Sequence, residues 1–257
     1  MEMTDPVKNA TVDGPRPMSK ALEISLVIPA YNEEAYVGQT LDSVIEHGHG
    51  KFKQIIVVDN NSSDKTSEVA AARTGVTVLK ELRKGTSNAR QTGVEQTTSD
   101  LIAFMDADTM LPEGWIEKAL KTFEDPKVVM LSGPARYFDA VWYQQWVLNA
   151  LWWLSGALVY PLVGYMVLGG NCVVRASALK EIGGLDRSIT FYGDDTNMAQ
   201  RLAEVGKVLF KLDFFIYYSA RRWKKEGFWY TAYKYATNYV FHVLFKKPLS
   251  KEHVDVR

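Results

Sequence analysis

Two aspartates separated by one alanine, Asp106 and Asp108, directly follow an apolar-rich run at 100–105 (DLIAFM). Carboxylates at positions i and i+2, where a strand ends, can approach one hard cation from the same side. Mg²⁺ takes oxygen ligands and is usually held by one or two carboxylates together with substrate phosphates. The same spacing also occurs by chance where a strand runs into a polar loop, so the pair alone leaves both interpretations open.

Two more polar clusters follow apolar runs. Tyr31–Glu34 (YNEE) comes after the run at 23–29, and Asp59–Asn61 (DNN) comes after the run at 54–58. Ligands of open α/β sheets bind at the carboxyl ends of the strands. Three polar clusters at that edge favour a site that binds a metal and a phosphate over a role in solubility.

The elements that must position these clusters alternate between two patterns. Short apolar runs predict strands at 23–29, 54–58, 76–79 and 100–105. Helical spacing or capping signals lie between them, at 33–46, 64–73, 86–96 and 112–123. Strands that alternate with helices predict an α/β fold whose mainly parallel, Rossmann-like sheet is covered by helices on both faces.

Composition excludes several classes of protein. The 257 residues include 30 Lys and Arg and 30 Asp and Glu, so the formal charge is zero and a general nucleic-acid binder is disfavoured. The single cysteine, Cys172, excludes an internal disulfide and any multi-cysteine metal site. No G-x-G-x-x-G, G-x-x-x-x-G-K-[ST] or G-x-S-x-G occurs, which disfavours dinucleotide-binding, P-loop and serine-hydrolase chemistry.

Five longer segments of the chain form a series. They are 26–34 (LVIPAYNEE), 55–66 (IIVVDNNSSDKT), 84–93 (KGTSNARQTG), 101–108 (LIAFMDAD) and 168–202 (LGGNCVVRASALKEIGGLDRSITFYGDDTNMAQRL). In order and spacing this series resembles the family 2 glycosyltransferases, which are inverting enzymes with a GT-A fold. The resemblance covers roughly residues 22–220.

The resemblance implies a role for particular residues. Residues that would contact a nucleotide-diphosphate sugar are Pro29, Tyr31, Glu33, Asp59, Lys84 and Asp106. Asp106 and Asp108 would be the family's D-x-D, which holds Mg²⁺ or Mn²⁺ against the diphosphate. Asp194 and Asp195 match the family's Glu-Asp pair, and by that register Asp195 is the general base, with Asp194 beside it.

Purely structural roles remain open for several of these residues. The alternatives are a turn cap for Asp59, a solvated side chain for Lys84 and a helix N-cap for Asp194. Where many family members place a metal-ligating histidine, this chain has 217–219 (YYS), followed by Arg221, Arg222 and Trp223. Arginines bind phosphate strongly. One of these two is therefore predicted to bind the donor diphosphate or an acceptor phosphate, unless both face water or lipid.

An uncharged stretch at 140–174 carries four of the seven tryptophans. It predicts a helix at 141–159, then a break around Pro161 and a strand through 169–174. One membrane crossing there would separate the D-x-D from Asp195, so a buried or interfacial helix is expected. A second aromatic helix at 228–245, flanked by lysines, favours peripheral contact with an anionic membrane on its cytoplasmic side.

These patterns predict a tail at 1–21, a glycosyltransferase domain at 22–220 and a basic, aromatic segment at 221–257. Within the domain, 22–110 would bind the donor and 128–220 the acceptor. The expected reaction moves a sugar, with a UDP-sugar favoured, to a sugar hydroxyl or lipid-linked acceptor in cell-envelope polysaccharide or glycolipid synthesis. Alternatives are a polyprenyl-phosphate acceptor, a nucleotidyltransferase and an inactive membrane-surface scaffold. The acidic, glycine-free loop at 31–34 disfavours the nucleotidyltransferase.

Overall fold

The computed structural model describes residues 21–189, 193–234 and 237, and within them the predicted α/β fold is confirmed. A seven-stranded sheet has the order β3-β2-β1-β4-β8-β6-β9, and a three-stranded sheet has the order β5-β10-β7. The strands are β1 (Ile24–Ala30), β2 (Phe52–Asp59), β3 (Val76–Lys80), β4 (Leu101–Met105), β5 (Thr109–Met110), β6 (Val128–Ser132), β7 (Ala135–Tyr137), β8 (Asn171–Arg175), β9 (Lys207–Phe210) and β10 (Ile216–Tyr218).

Helices cover both faces of the large sheet, and others lie beside the small sheet. They are α1 (Val37–Gly48), α2 (Thr66–Ala71), α3 (Thr86–Val94), α4 (Trp115–Thr122), α5 (Trp142–Leu154), α6 (Tyr160–Val163), α7 (Ala176–Glu181), α8 (Asp194–Ala203) and α9 (Arg221–Glu226). One core contains α1 and α4 side chains such as Leu41 and Trp115, and the opposite core contains α3 and α8 side chains such as Ala89 and Met198. The fold is therefore a sheet between two helical layers.

The four strands predicted from the alternating pattern all form, as β1, β2, β3 and β4, and they run parallel to one another. β8 differs, because it pairs antiparallel with both β4 and β6. It begins at Asn171, two residues later than predicted, because a Gly169-Gly170 turn precedes it. The remaining strands were not predicted, since most are short or lack a distinct apolar run.

The uncharged stretch forms one helical segment, Trp142–Val163, which we call the apolar helix. A π-helical turn at Ser155–Val159 joins α5 to α6. The break predicted around Pro161 is wrong: the helix continues through this proline, which lies in the first turn of α6 directly after the π-helical turn, and ends at Gly164. By length and composition this is the one described helix able to cross a membrane. The predicted tail lies outside the described residues except for Ala21, and the 228–245 helix is described only at 228–234 and 237.

The loop after β3 contains a buried carboxylate with a strongly lowered pKa. Side-chain hydrogen bonds from Arg83 lower the pKa of Glu81 from 4.5 to about 2, with Thr92 adding to the effect and burial opposing it. The Arg83 Nη2 and Thr92 Oγ1 atoms lie 2.7 and 2.6 Å from Glu81 Oε2. Glu81 therefore ties this loop to α3.

We expect Glu81→Gln to lower the free energy of unfolding by about 2 kcal/mol at pH 7. The lowered pKa of Glu81 alone would imply a larger loss, but Arg83 is largely exposed and solvent weakens its interaction with Glu81. A carboxylate with a lowered folded-state pKa stabilises the fold above its unfolded pKa and loses this effect as the pH falls. The difference between wild type and variant should therefore shrink between pH 4.5 and pH 2. Urea unfolding at pH 7 and 3.5 measures this difference in the free energy of unfolding. Glu124→Gln, at an exposed position, is the control. A difference that stays constant with pH would contradict this assignment.

Candidate active site

The carboxyl ends of β1 and β4 open into one cavity of about 500 Å³. β1 continues into the loop of Tyr31 and Glu33, and β4 continues into Asp106 and Asp108, and all four residues line the cavity. The parallel register places Ala30 beside Asp59 and Val27 beside Phe104, so these loops leave the sheet at the same edge. The predicted convergence of polar clusters is therefore present.

Asp106 is held by two side chains from distant parts of the chain. Arg90 Nη2 donates to Asp106 Oδ1 at 2.9 Å, and the Tyr218 hydroxyl donates to Asp106 Oδ2 at 2.8 Å. Tyr218 reaches this position because β10 pairs with β5, opposite Thr109, immediately after the D-x-D. Both oxygens of Asp106 thus have partners inside the protein.

Arg90 joins the two acidic pairs of the site. Its side chain is only 4% exposed, and its Nη1 donates to Asp194 Oδ2 at 2.8 Å. Burial raises the pKa of Asp194, and the charge of Arg90 opposes that rise. One guanidinium therefore connects the end of β4 with the first turn of α8, although the two aspartates are far apart in sequence.

Asp195 faces the glycine turn that precedes β8. The Gly169 backbone N–H donates to Asp195 Oδ2 at 3.0 Å, and the Thr196 N–H donates to Oδ1 at 2.7 Å. Gly193, at φ 87°, is the N-cap of α8, so Asp194 is the first helical residue and not the cap. Asp194 and Asp195 both line the cavity.

A second guanidinium lies beside Glu33 and Asp108 in the cavity. Arg221 Nη2 is 2.5 Å from Glu33 Oε1 and 3.0 Å from Asp108 Oδ2, and its guanidinium lies 4.5 Å from the centre of the Tyr36 ring. Burial raises the pKa of Asp108, and the charge of Arg221 opposes that rise. Arg221 therefore balances the negative charges of Glu33, which is buried, and Asp108, which is partly buried.

The neighbours of Arg221 also lie at the cavity. Arg222 lines it and pairs with Glu226, with Nη1 at 2.8 Å from Oε1. Trp223 is buried and meets the Tyr137 ring edge-on, at 5.7 Å between ring centres. Arg221 and Arg222, of which one is predicted to bind a phosphate, therefore lie with Trp223 along one wall of the cavity.

The predicted donor residues separate into two groups. Pro29 and Tyr31 line the cavity with Glu33. Asp59 is buried outside its lining and accepts hydrogen bonds from the Ser62 N–H and the Ser67 hydroxyl, as in a turn cap. Lys84 is exposed and also lies outside the lining. The structure thus places these two near the site without bringing their side chains into the cavity.

Two residues of the site were missed by sequence reasoning. Arg90 lies inside the quoted segment at 84–93, and Tyr218 replaces the expected histidine region, but neither received a role. The available signal for Arg90 was a lone basic residue in the predicted helix at 86–96, and the structure buries that residue. Its two partners could not be identified without the fold.

The carboxylates at this edge of the cavity fit a divalent cation whose coordination is completed by phosphate. Asp106 and Asp108 both line the cavity, and two carboxylates plus substrate phosphates suffice for Mg²⁺. Among the described residues no group of three or more His, Cys, Asp or Glu could form an all-protein metal site. Both oxygens of Asp106 accept hydrogen bonds from Arg90 and Tyr218, whereas Asp108 pairs with Arg221 through Oδ2, so Asp108 would be the better placed of the two as a ligand.

Gly170 lies where any side chain would disturb the acidic pair. A Cβ atom there would lie 1.9 Å from the Tyr218 hydroxyl and 2.4 Å from Asp106 Oδ2. We expect Gly170→Ala to separate these two groups, to cost about 1–3 kcal/mol of stability and to weaken donor binding. Gly156→Ala is the control, because its Cβ would be 3.5 Å from the nearest atom. Equal melting temperatures for the two variants would show that the contact is unimportant.

The sequence matches the family described as "Glycosyl transferase family 2" over residues 25–183. The pre-mycofactocin glycosyltransferase of Mycobacterium tuberculosis is 28% identical over 213 residues, which cover 77% of this chain and 43% of that protein. The chain thus spans less than half the length of this curated relative.

Solved structures of glycosyltransferases share the fold. A Pyrobaculum calidifontis mannosyltransferase in complex with GDP-Man and Mn²⁺ has a TM-score of 0.61 and 19% identity, and the match covers 80% of this chain and 61% of that one. Glucosyl-3-phosphoglycerate synthase from Mycobacterium tuberculosis, in complex with Mn²⁺ and UDP-glucose, has a TM-score of 0.55 and 21% identity, with coverage of 74% and 69%. The predicted GT-A fold is confirmed by these neighbours.

Proposed function

This chain belongs to glycosyl transferase family 2, and from that premise we propose that it transfers a sugar from a nucleotide-diphosphate sugar to a hydroxyl of a sugar or lipid-linked acceptor. The observation that carries the proposal is the Arg90 bridge. It joins Asp106 of the D-x-D to Asp194, next to Asp195, on one cavity. This arrangement supports a donor and an acceptor that bind side by side in one cavity.

The reaction we propose is a single displacement that inverts the anomeric centre. The acceptor oxygen forms a bond to the anomeric carbon while the bond from that carbon to the diphosphate oxygen breaks, and its electron pair leaves with the diphosphate. The acceptor proton passes to a carboxylate oxygen of Asp195, because a carboxylate within hydrogen-bond reach can act as general base. The Gly169 N–H, 3.0 Å from Asp195 Oδ2, fixes the orientation of that carboxylate.

Positive charge supports departure of the diphosphate. A Mg²⁺ or Mn²⁺ ion bound by Asp108 and Asp106 would neutralise the charge that grows on the leaving oxygens. Arg221 and Arg222, which line the same cavity, offer further hydrogen bonds to phosphate. Pro29, Tyr31 and Glu33 line the wall where we place the nucleoside and sugar of the donor, with a UDP-sugar favoured.

We place the enzyme at the cytoplasmic surface of a membrane, where it would serve cell-envelope synthesis. The apolar helix supports this, because only 6% of its most apolar window is buried and Trp142 and Trp146 are largely exposed. Tryptophan is enriched at membrane interfaces. Co-sedimentation with phosphatidylglycerol vesicles, compared for wild type and a Trp142→Ser/Trp146→Ser variant, measures this contact.

A polyprenyl-phosphate acceptor is the second candidate, favoured by the two arginines beside an apolar wall of the cavity. Its nucleophile is already ionised, so it needs no general base. Loss of Asp195 then costs less than it does with a hydroxyl acceptor.

Turnover tests the proposal directly. Purified protein with Mn²⁺ and bacterial lipid extract should release nucleoside diphosphate from one of UDP-glucose, UDP-galactose, GDP-mannose or dTDP-rhamnose. We expect Asp108→Asn to lower the rate at least 100-fold, because Asp108 would bind the cation that neutralises the charge on the leaving phosphate. Asp213→Asn, an exposed control with 71% of its side chain accessible, should retain the wild-type rate. Equal rates for the two variants would contradict the proposed site.

A further inference from the structure

Arg221 is shared by two acids of the cavity through one of its nitrogen atoms. Its Nη2 lies 2.5 Å from Glu33 Oε1 and 3.0 Å from Asp108 Oδ2. The side chains of Arg221, Glu33 and Asp108 are 12%, 4% and 16% exposed. Solvent and salt weaken charged contacts little at this depth. In this arrangement Asp108 therefore has a strong positive partner from its own chain.

A divalent cation that binds Asp108 would meet this guanidinium. Two positive charges a few ångströms apart repel each other, and the repulsion is strong where little water lies between them. Asp106 offers no alternative, because Arg90 and Tyr218 already donate to its two oxygens. Arg221 and the cation therefore compete for the same carboxylate.

The backbone at Arg221 is anchored, but its side chain has room to turn. The Ala220 N–H donates to Asp139 Oδ1 at 2.5 Å, and Trp223 is buried. Arg221 lines the main cavity and also a second cavity of about 320 Å³, whose lining includes Tyr36. The guanidinium can therefore leave Asp108 by a movement of the side chain alone, while α9 stays in place.

Arg221 can give up Asp108 without leaving either acid uncompensated. A guanidinium has five N–H donors, and both acids are contacted through Nη2. When Asp108 binds a cation, Arg221 can keep Glu33 and the Tyr36 ring, whose centre is 4.5 Å from the guanidinium, and present its other N–H groups to phosphate. Each carboxylate then has a positive partner in both arrangements, and a diphosphate favours the second.

We propose that Arg221 is an internal competitor of the divalent cation for Asp108, which makes cation binding depend on the nucleotide diphosphate. The inference rests on the proposed function and describes how that same site is regulated. The diphosphate supplies ligands to the cation and hydrogen-bond acceptors to the released arginine. If Arg221 holds Asp108 in about nine molecules of ten, the competition weakens binding of the cation alone about tenfold.

Binding of Mn²⁺ without nucleotide tests the competition, and the electron paramagnetic resonance signal of the free ion measures it. Arg221→Met removes the charge but keeps an apolar side chain beside Tyr36. It should bind Mn²⁺ about tenfold more tightly than the wild type. Arg73→Met, which removes an ion pair at the surface, should change the affinity by less than about twofold. Equal Mn²⁺ affinities of Arg221→Met and the wild type would overturn the proposal.

A charge-matched double variant separates competition from a general change of charge. Arg221→Met/Glu33→Gln removes one positive and one negative group, so the net charge of the cavity is unchanged. It also replaces Arg221→Met if that protein fails to fold, because no Glu33 carboxylate loses its arginine. It should bind Mn²⁺ about three- to tenfold more tightly than the wild type, since Asp108 no longer pairs with Arg221. An affinity equal to that of the wild type would overturn the proposal.

The dependence on nucleotide is measured by repeating the Mn²⁺ titrations with UDP, GDP, CDP or dTDP. One of these nucleotides should tighten Mn²⁺ binding more in the wild type than in the double variant, by about threefold or more, because only the wild type has a competitor to release. Equal tightening in both proteins would overturn the dependence on nucleotide.

Turnover distinguishes this inference from the proposed function. Transfer from a donor sugar, together with Mn²⁺ affinities that neither variant changes, overturns the competitor alone. Tighter Mn²⁺ binding by both variants without any turnover of the wild type supports the competitor and counts against the proposed function.

Discussion

Replacement of Asp195 by asparagine is expected to lower turnover by about 10²–10⁴-fold, the range typical of a lost general base. Asparagine has nearly the same shape and can still accept the hydrogen bond from the Gly169 N–H. It cannot take a proton from an acceptor hydroxyl. The loss should therefore appear in kcat, with the melting temperature and the donor KM close to those of the wild type.

Two comparisons make this result specific. Asp213→Asn, on the exposed surface, controls for the substitution itself. Asp194→Asn removes the neighbouring carboxylate, which pairs with Arg90, and should affect stability and donor affinity more than kcat. Residual activity of Asp195→Asn within tenfold of the wild type would contradict the general-base assignment and favour the phosphate acceptor.

The second large effect is expected at Arg90. Arg90→Met leaves Asp106 and Asp194 without their shared counter-charge in a site where the Arg90 side chain is 4% exposed. Removing one partner of a buried ion pair costs about 3–5 kcal/mol. For a chain of this size that predicts a fall in melting temperature of roughly 6–20 °C. Calorimetry or circular dichroism measures it.

A surface arginine and a double variant provide the controls for Arg90. Arg73→Met removes an ion pair whose Asp42 partner is 61% exposed, and should cost no more than about 1 kcal/mol. In Arg90→Met/Asp194→Asn the charge of Asp194, which Arg90→Met leaves unpaired, is also removed. The double variant should therefore be more stable than Arg90→Met, as expected for two groups in contact, whose effects are not additive. An Arg90→Met protein as stable as Arg73→Met would contradict the bridging role.

Much of the fold could be predicted from local patterns. Apolar runs identified β1, β2, β3 and β4, because each contains a short stretch of mostly apolar residues that can be read directly from the sequence. The strand β8 was predicted at 169–174, but its antiparallel pairing and the small sheet of β5, β7 and β10 could not be predicted, because these pairings depend on partners far away along the chain.

The residues of the candidate site also divide into those that short motifs indicate and those that depend on distant partners. Asp106, Asp108, Asp194 and Asp195 lie in short motifs, so sequence alone indicated them, and all four line the cavity. Arg90 has no motif of its own, since its role depends on a partner 104 residues away. The assignments of Asp59 and Lys84 to the donor stay predictions, because their side chains lie outside the cavity lining.

The measurement that tests the account most directly is the melting temperature with UDP, GDP, CDP and dTDP, each with and without Mn²⁺, in the presence of phosphatidylglycerol vesicles. Binding to the native state at 100 times Kd stabilises it by about 2.7 kcal/mol. We predict a clear rise for one nucleotide, larger with Mn²⁺ and absent from an Asp106→Asn/Asp108→Asn variant measured against its own baseline. No rise with any nucleotide, or an equal rise in that variant, would contradict a donor site at the D-x-D.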